Sequence, residues 1–533
     1  MKYSIKNIIV MASVAMVNAA CVGLDTAPYD RETDLTFWGD NEHAALSALN
    51  TCYTQLSSMD EQMYAECMSD NAYTKQPNDY TQKIGNGSFS SADRYVSNFW
   101  DNRYSAIRKC NQLLTNIDKV TSLSEDLKKR YIGEAKVIRA YHFYELYTRF
   151  GAIPYPETVI SIAESQTMPR TPRETVVSKV VADLNEVING NYLPASYDAA
   201  NKGRITSGAA QAILAKVYLF EGKWDMVKQL TQTIMNSNTY QLFPSYSGLF
   251  EVENEGNSEV ILDVQYAPAT REQGTQYSFL PPTLGGYSQL SPLQELVDSY
   301  VMINGKAIDE AGSGYNPAKP YENRDPRLAA TVIYTGNSYK LADGSEVVIN
   351  CEKGAEKDGY GYSSDCSATG FYVKKYWDSH YRSSVGTSSL NTILIRYADI
   401  LLMNAEANAE LGTLDATVWN ATIGAIRQRA GFSAEGVAFP VASKEQLINI
   451  VRNERRAELA MEGHRYKDII RWRIAEKVLN GWCHGIQTGD VVGADNGFIR
   501  VEERKFDASK HYLWPIPQKE RDLNKNLDQN PQW

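Results

Sequence analysis

Tyrosine is the residue type in surplus: the chain holds 34 Tyr against 14 Phe and 9 Trp. A tyrosine offers a flat apolar face and a polar tip, which suits half-wet recognition surfaces, although more than half of so many must serve the core. Residues arranged for covalent chemistry are missing. There is no G-x-S-x-G elbow, no H-E-x-x-H, no Walker A loop and no G-x-G-x-x-G. The six histidines (His43, His142, His380, His464, His484 and His511) are scattered, and no two have metal-ligand spacing on a helix. Among 64 acidic residues no pair is singled out for glycoside hydrolysis, so that chemistry stays open on abundance alone. The stretch 451–471, VRNERRAELAMEGHRYKDIIR, interleaves its charges, which predicts ion pairs across a helix surface and not a phosphate-binding face. A net charge of -10 argues in the same direction, against a nucleic-acid partner.

Cysteine chemistry depends on compartment. Lys2 and Lys6 followed by about ten apolar residues (8–17) read as an export signal, too short for a bilayer span of about 20. It ends in Asn18-Ala19-Ala20-Cys21, which predicts acylation at Cys21; cleavage after Ala19 is the competing reading. Six cysteines follow, none in a C-x-x-C pair. Cys351 and Cys366 flank a Gly/Ser/Asp-rich segment and are the pair expected to bridge, with six buried thiols as the alternative.

The elements that must position any site are mostly helical. Residues 21–36 read as a tether, and Asp40 has the character of an N-cap for the first scaffold helix. Residues 69–91 read as a long surface loop, with helical pattern resuming to residue 120 and again from Ser124. The run 133–151 is apolar on nearly all sides, which predicts a helix buried among others. Thr171-Pro172-Arg173-Glu174 has the spacing of a capping box opening a helix to about Asn189. AKVYLFEGKWD (215–225) and AEANAELGTLD (405–415) echo each other: a small-residue helix, a Gly seven positions on, then an Asp three beyond. That is the grammar of tetratricopeptide-like helix pairs. Between about 240 and 390 the helical pattern lapses into Gly, Pro, Ser and Tyr, the kind of loop-rich insertion that carries function. Helices are expected again from Ile393 to about Leu479, with an irregular tail.

Six segments resemble the SusD/RagB family of outer-membrane nutrient-binding lipoproteins, in order and over nearly the whole chain. They are GEAKVIRAYHFYELYTRFGAIP (133–154), TPRETVVSKVVADLNEVI (171–188), GRITSGAAQAILAKVYLFEGKWD (203–225), LIRYADILLMNAEANAELG (394–412), VRNERRAELAMEGHRYKDIIRW (451–472) and YLWPIPQKE with NKNLDQNPQW. The Asp325-Pro326-Arg327-Leu328 turn is similar too. Two places depart from the family pattern: Asn18 in the lipobox, and the residues after Cys21, where acidic export residues are reduced to Asp25.

The resemblance implies a mainly α fold, with four tetratricopeptide-like helix pairs and an irregular subdomain inserted before the last pair. The implied division is 1–20 signal peptide, 21–36 tether, 37–239 N-terminal scaffold, 240–390 insertion and 391–533 C-terminal scaffold. It further implies a non-catalytic protein, lipid-anchored at the cell surface, that captures oligosaccharides and closes as a lid over a SusC-like TonB-dependent transporter. Peptide capture by the same scaffold, a glycoside hydrolase and a pure protein–protein adaptor stay open, as does calcium. Family sites draw on the loop after the first helix and on the insertion. Here those places hold Asn71, Tyr73 and Tyr80, and Tyr277, Tyr287, Tyr360, Tyr362, Trp377 and Tyr381. A sugar's C–H face stacks on a flat aromatic and its hydroxyls bond to groups at the edge. Trp224 and Trp472 fall inside scaffold motifs and are expected to be structural.

Overall fold

The protein is described by a computed structural model covering residues 37–39, 41–76, 80–381, 386–489 and 495–533. The export signal, Cys21, the tether and Asp40 lie outside the described residues. The scaffold is built from long helices: α1 (Glu42–Tyr53), α2 (Arg94–Asn116), α3 (Glu125–Phe150), α4 (Arg173–Asn189), α5 (Ser207–Phe220), α6 (Trp224–Asn236), α7 (Tyr397–Leu411) and α8 (Lys444–Leu459). Each packs on its neighbour in the series α2–α3–α4 and α5–α6–α7–α8, the right layout for stacked helix pairs. Asn41 caps α1, accepting from the Ala44 N–H, and Ser124 caps α3, accepting from Leu127.

α3 is buried on almost every side from Gly133 onward, as a run apolar on nearly all sides predicts. The two echoing units are helix ends with a left-handed glycine, Gly222 at φ 64° and Gly412 at φ 72°. Fully buried alanines (Ala209, Ala212 and Ala215 on α5; Ala405 and Ala407 on α7) let these helices approach closely. Two local expectations are corrected. Thr171 does not cap α4; its backbone pairs with Ile153, and Pro172 precedes the helix without a side-chain cap. Asp415 caps the helix that follows it, accepting from Val418, but Asp225 already lies inside α6.

From 240 to 390 the elements are short, with helices such as Gln294–Ser299 and Pro326–Thr331 around a second apolar core. This region is stitched to the scaffold by sheet pairing. Ala72–Thr74 runs antiparallel to Leu290–Pro292, and Val260–Val264 to Thr392–Arg396. The segment from Ile393 is therefore a strand and not a helix, because its backbone completes this ladder; α7 begins only at Tyr397. The tail is more regular than its composition suggests, with Asn480–Gln487 and Phe498–Lys505 forming an antiparallel pair. Residues 69–74 are not a surface loop. Asp70 is buried against Arg456 and Arg465, and Tyr80–Asn86 forms a helix.

The charged stretch 451–471, which spans the end of α8 and a short helix Arg465–Arg471, is the largest departure from expectation. Its charges do not pair along an exposed surface; they point inward, Arg455 and Arg471 to Asp468 of the same stretch and others to partners from distant segments. Arg396 meets Glu259 (2.7 Å), Glu458 (2.6 Å) and Glu462 (2.7 Å), while Arg327 meets Asp325, Glu454 and Glu458. Arg427, Arg429 and Lys375 complete the cluster, opposing Glu454, Glu259 and Glu462 respectively. Each acid is matched by a base, so the interior carries charge without net imbalance.

Candidate functional site

Two turns of the insertion bring tyrosines together at the surface. The short helix Gln276–Phe279 carries Tyr277, and the chain doubles back so that the Tyr287 N–H donates to the Tyr277 carbonyl at 3.0 Å. Gly286 makes the return possible, since a Cβ there would lie 2.1 Å from the Leu280 carbonyl oxygen. The Tyr277 and Tyr287 rings sit 4.2 Å apart between centroids, tilted by 45°. Both residues are 38% exposed. The hydrogen bond to Tyr287 pushes the Tyr277 hydroxyl up to about 12, so Tyr277 stays neutral at physiological pH. Tyr381 completes the group from the other side: a Cβ at Gly386 (φ 68°) would lie 3.9 Å from both Tyr277 Cδ2 and Tyr381 Oη. Burial raises the Tyr381 hydroxyl, with Tyr287 adding to it.

Polar groups rim this platform. Lys75 donates to the Cys366 carbonyl at 2.7 Å and to that of Ser364, and the charge of Asp365 between them bears on both Lys75 and Tyr277. Burial lowers the Lys75 ammonium. The Lys75 N–H donates to the Gln289 carbonyl, and the Gln289 side chain accepts from the Tyr64 hydroxyl at 3.0 Å. Through Tyr64 the platform adjoins an open depression of about 510 Å³ whose lining includes Gln76, Arg94, Asn98 and Asn102. Aromatic faces beside amides, a cation and a carboxylate are the groups that stack on a sugar ring and bond its hydroxyls.

The remaining expected contacts are placed differently. Asn71 is fully buried and spent internally: it donates to Glu66 Oε2 at 2.7 Å and accepts from Arg456 Nε at 2.8 Å, which removes it from the surface. Tyr73 is half-buried on its strand, its hydroxyl accepting from Gln82 and held up to about 12, chiefly by burial and then by Glu502. Tyr80 opens a helix, and its side chain lies outside the described residues. Tyr362 is 57% exposed on the segment that carries Asp365, whereas Tyr360 packs on the insertion core. Trp377 lines a separate depression of about 500 Å³, its Nε1–H donating to the Lys340 carbonyl at 2.7 Å. Lys75, Asp365, Tyr64 and Gln289 had no local signal in the sequence; the pairing of Ala72–Thr74 with Leu290–Pro292 is what sets Lys75 beside Gln289.

Cys351 and Cys366 are not bridged. Cys351 is engaged by Thr335, and the Cys366 thiol donates to the Lys357 carbonyl at 2.9 Å. Trp472 is buried, its indole N–H on Glu406, and Trp224 packs on the main scaffold core. Among the described residues no cluster of His, Cys, Asp and Glu could hold a metal ion, and no helix is long and apolar enough to cross a membrane.

Known proteins match this architecture over most of the chain. Residues 248–533 match the model of the SusD family, and residues 32–219 a second model described as starch-binding associating with outer membrane. The chain belongs to the SusD family. It is 27% identical to SusD-like protein P2 of Formosa agariphila, over 86% of this chain and 83% of that one. A crystal structure of a SusD-like carbohydrate binding protein from Bacteroides fragilis superposes with a TM-score of 0.82 at 28% identity, covering 92% of this chain and 100% of the other. A second SusD-like protein from Bacteroides fragilis gives a TM-score of 0.80 at 26% identity, over 95% and 100% of the two chains.

Proposed function

We propose that this protein captures oligosaccharides at the cell surface, as a lipid-anchored, non-catalytic subunit, and delivers them as a lid to a SusC-like TonB-dependent transporter. The observation that carries the binding reading is the Tyr277–Tyr287–Tyr381 platform with Lys75 and Asp365 at its edge. The description of the N-terminal family model, starch-binding associating with outer membrane, supports both the ligand class and the location. The division into signal, tether, scaffold and insertion at 20, 36, 239 and 390 belongs to this reading. A hydrolase would need an accessible carboxyl poised near neutrality. Two carboxyls are pushed up to about 7 by burial. Glu66 is sealed inside, accepting from Asn71 and from the Gly463 N–H at 2.6 Å. The half-buried Glu255 accepts from the Asn391 N–H at 2.8 Å, so product analysis separates a hydrolase from a binding protein.

The test is affinity gel retardation of residues 22–533 across a polysaccharide panel, with product analysis alongside. One polymer class should retard the protein without releasing sugar, and the double variant Tyr277→Ala/Tyr287→Ala should abolish the retardation. Sugar release, or undiminished retardation of the double variant, overturns the proposal.

A further inference from the structure

We propose that Trp482 and the depression beside it form a second carbohydrate-binding site, separate from the tyrosine platform, that takes neutral sugar units of the same polymer. The proposal rests on the glycan-binding reading above and extends it to another place on the molecule. Trp482 is the most exposed of the nine tryptophans, at 41%. It lies on the strand Asn480–Gln487, where it pairs across to Glu503, and Gly481 before it sits at φ 91° with open space around it. The next residue, Cys483, is buried, its thiol donating to the Glu502 carbonyl at 3.3 Å.

An exposed indole free to swing would lose entropy on binding, but this one is held. Arg500 lies over its ring, 5.1 Å from the centroid, and is itself paired with Asp495 at 2.5 Å. Asp495 also bonds His484 Nε2 at 3.1 Å, and His484 Nδ1 meets Glu295 at 2.8 Å. Glu295 belongs to the helix Gln294–Ser299, so a chain of bonds fixes the ring against the insertion. A ring ordered beforehand stacks at little entropic cost.

Beside the ring opens a depression of about 480 Å³, lined by none of the platform residues. Its lining holds donors and acceptors that the protein leaves unspent. Arg456 uses Nε on Asn71 and Nη2 on Asp70, and Nη1 is left over. Lys477 is exposed and makes no ion pair among the described residues. Asn453 donates to the Ser299 carbonyl at 2.8 Å and keeps its own amide oxygen, and Asp298 accepts from Gln294 through one carboxylate oxygen. A sugar hydroxyl both donates and accepts, so mixed groups beside an aromatic face suit it. Charge points to a neutral sugar, because three cations (Arg456, Lys477 and Arg504) face three carboxylates (Asp70, Glu295 and Asp298) around the depression. An anionic ligand calls for an excess of cations. A protein partner calls for an apolar centre, and here Trp482 is ringed by charge. The site has one aromatic where the platform has three. It does not hold the protein on a gel alone; it strengthens retention once the platform has engaged, since its sugar is then at high local concentration.

The experiment is hydroxyl-radical footprinting of residues 22–533 with maltohexaose, cellohexaose, laminarihexaose and xylohexaose, each at millimolar concentration. Mass spectrometry reads the oxidation residue by residue. One hexasaccharide should protect Trp482, and should still do so in Tyr277→Ala/Tyr287→Ala. In gels carrying the matching polymer, Trp482→Ala should be retained about tenfold more weakly than wild type at an unchanged melting temperature. Trp482→Phe, which keeps a flat ring, should recover most of that loss. Trp482 oxidised equally with every hexasaccharide, or Trp482→Ala retained as strongly as wild type, overturns the proposal and leaves the hairpin to a protein partner. The platform tyrosines are read in the same samples. Protection of Tyr277 without Trp482 overturns the second site and leaves the platform standing; protection of Trp482 without Tyr277 does the reverse.

Discussion

Replacing Arg396 with Met removes one cation from the balanced interior cluster while keeping most of the side-chain volume. Arg396 is 1% exposed and makes five hydrogen bonds: to Glu259 Oε1, to Glu458 Oε1, to the Glu458 carbonyl, and to both oxygens of Glu462. Afterwards Glu259 keeps Arg429, Glu458 keeps Arg327 and Arg429, and Glu462 keeps Lys375. Five carboxylates (Glu259, Asp325, Glu454, Glu458 and Glu462) then face four cations (Arg327, Lys375, Arg427 and Arg429). Breaking a buried pair from one side costs about 3–5 kcal/mol, because the charge left behind has no water. Urea unfolding followed by tryptophan fluorescence at pH 7 should show that loss. The loss should also shrink as the pH is lowered. An uncompensated carboxylate has its folded-state value raised, so the variant folds best with that group protonated, and its deficit relative to wild type is greatest above the folded value. A deficit under about 1 kcal/mol, or one that does not change with pH, would refute the charge argument and leave only lost packing.

Other consequences are as concrete. Glu66 sits near 7 in the fold through burial, against an ordinary carboxyl value near 4.5 in the unfolded chain. Its contribution is therefore fully present below about 4.5 and lost as pH rises through about 7, and Glu66→Gln should flatten that part of the stability–pH curve; an unchanged slope tells against it. Asp70 is held far below the ordinary range: burial opposes ionisation, but the Arg456 and Arg465 charges outweigh it. Its contribution is present above the usual carboxylate value and lost on acidification, so Asp70→Asn should weaken the protein by about 3 kcal/mol at pH 7 in urea titrations. Gly286→Ala should weaken glycan retardation without unfolding the scaffold, as judged by far-ultraviolet circular dichroism, because the added methyl group displaces the turn that brings Tyr287 to Tyr277. Unchanged retardation would show that the turn geometry does not matter.

What the sequence determined by itself was whatever depends on near neighbours. The buried α3, the glycine-terminated helix ends at Gly222 and Gly412, and the lapse of helical pattern after residue 240 all follow from spacing within about a dozen residues. The ordered motifs indicated the family, and the family the fold. What only the tertiary structure decided depends on residues hundreds of positions apart. The alternating charges of 451–471 suit an exposed helix equally well; Arg327, Arg396 and Glu259 arrive from other segments and turn that face inward. Asn71 has the composition of a surface loop, yet Arg456 and Glu66 draw it into the core. Of the nine residues expected at the ligand site, the fold gathers Tyr277, Tyr287 and Tyr381 and supplies Lys75 by pairing Ala72–Thr74 with Leu290–Pro292. Local propensity reports which backbone a segment prefers, but a site is a meeting of side chains, and long-range packing alone sets which of them meet.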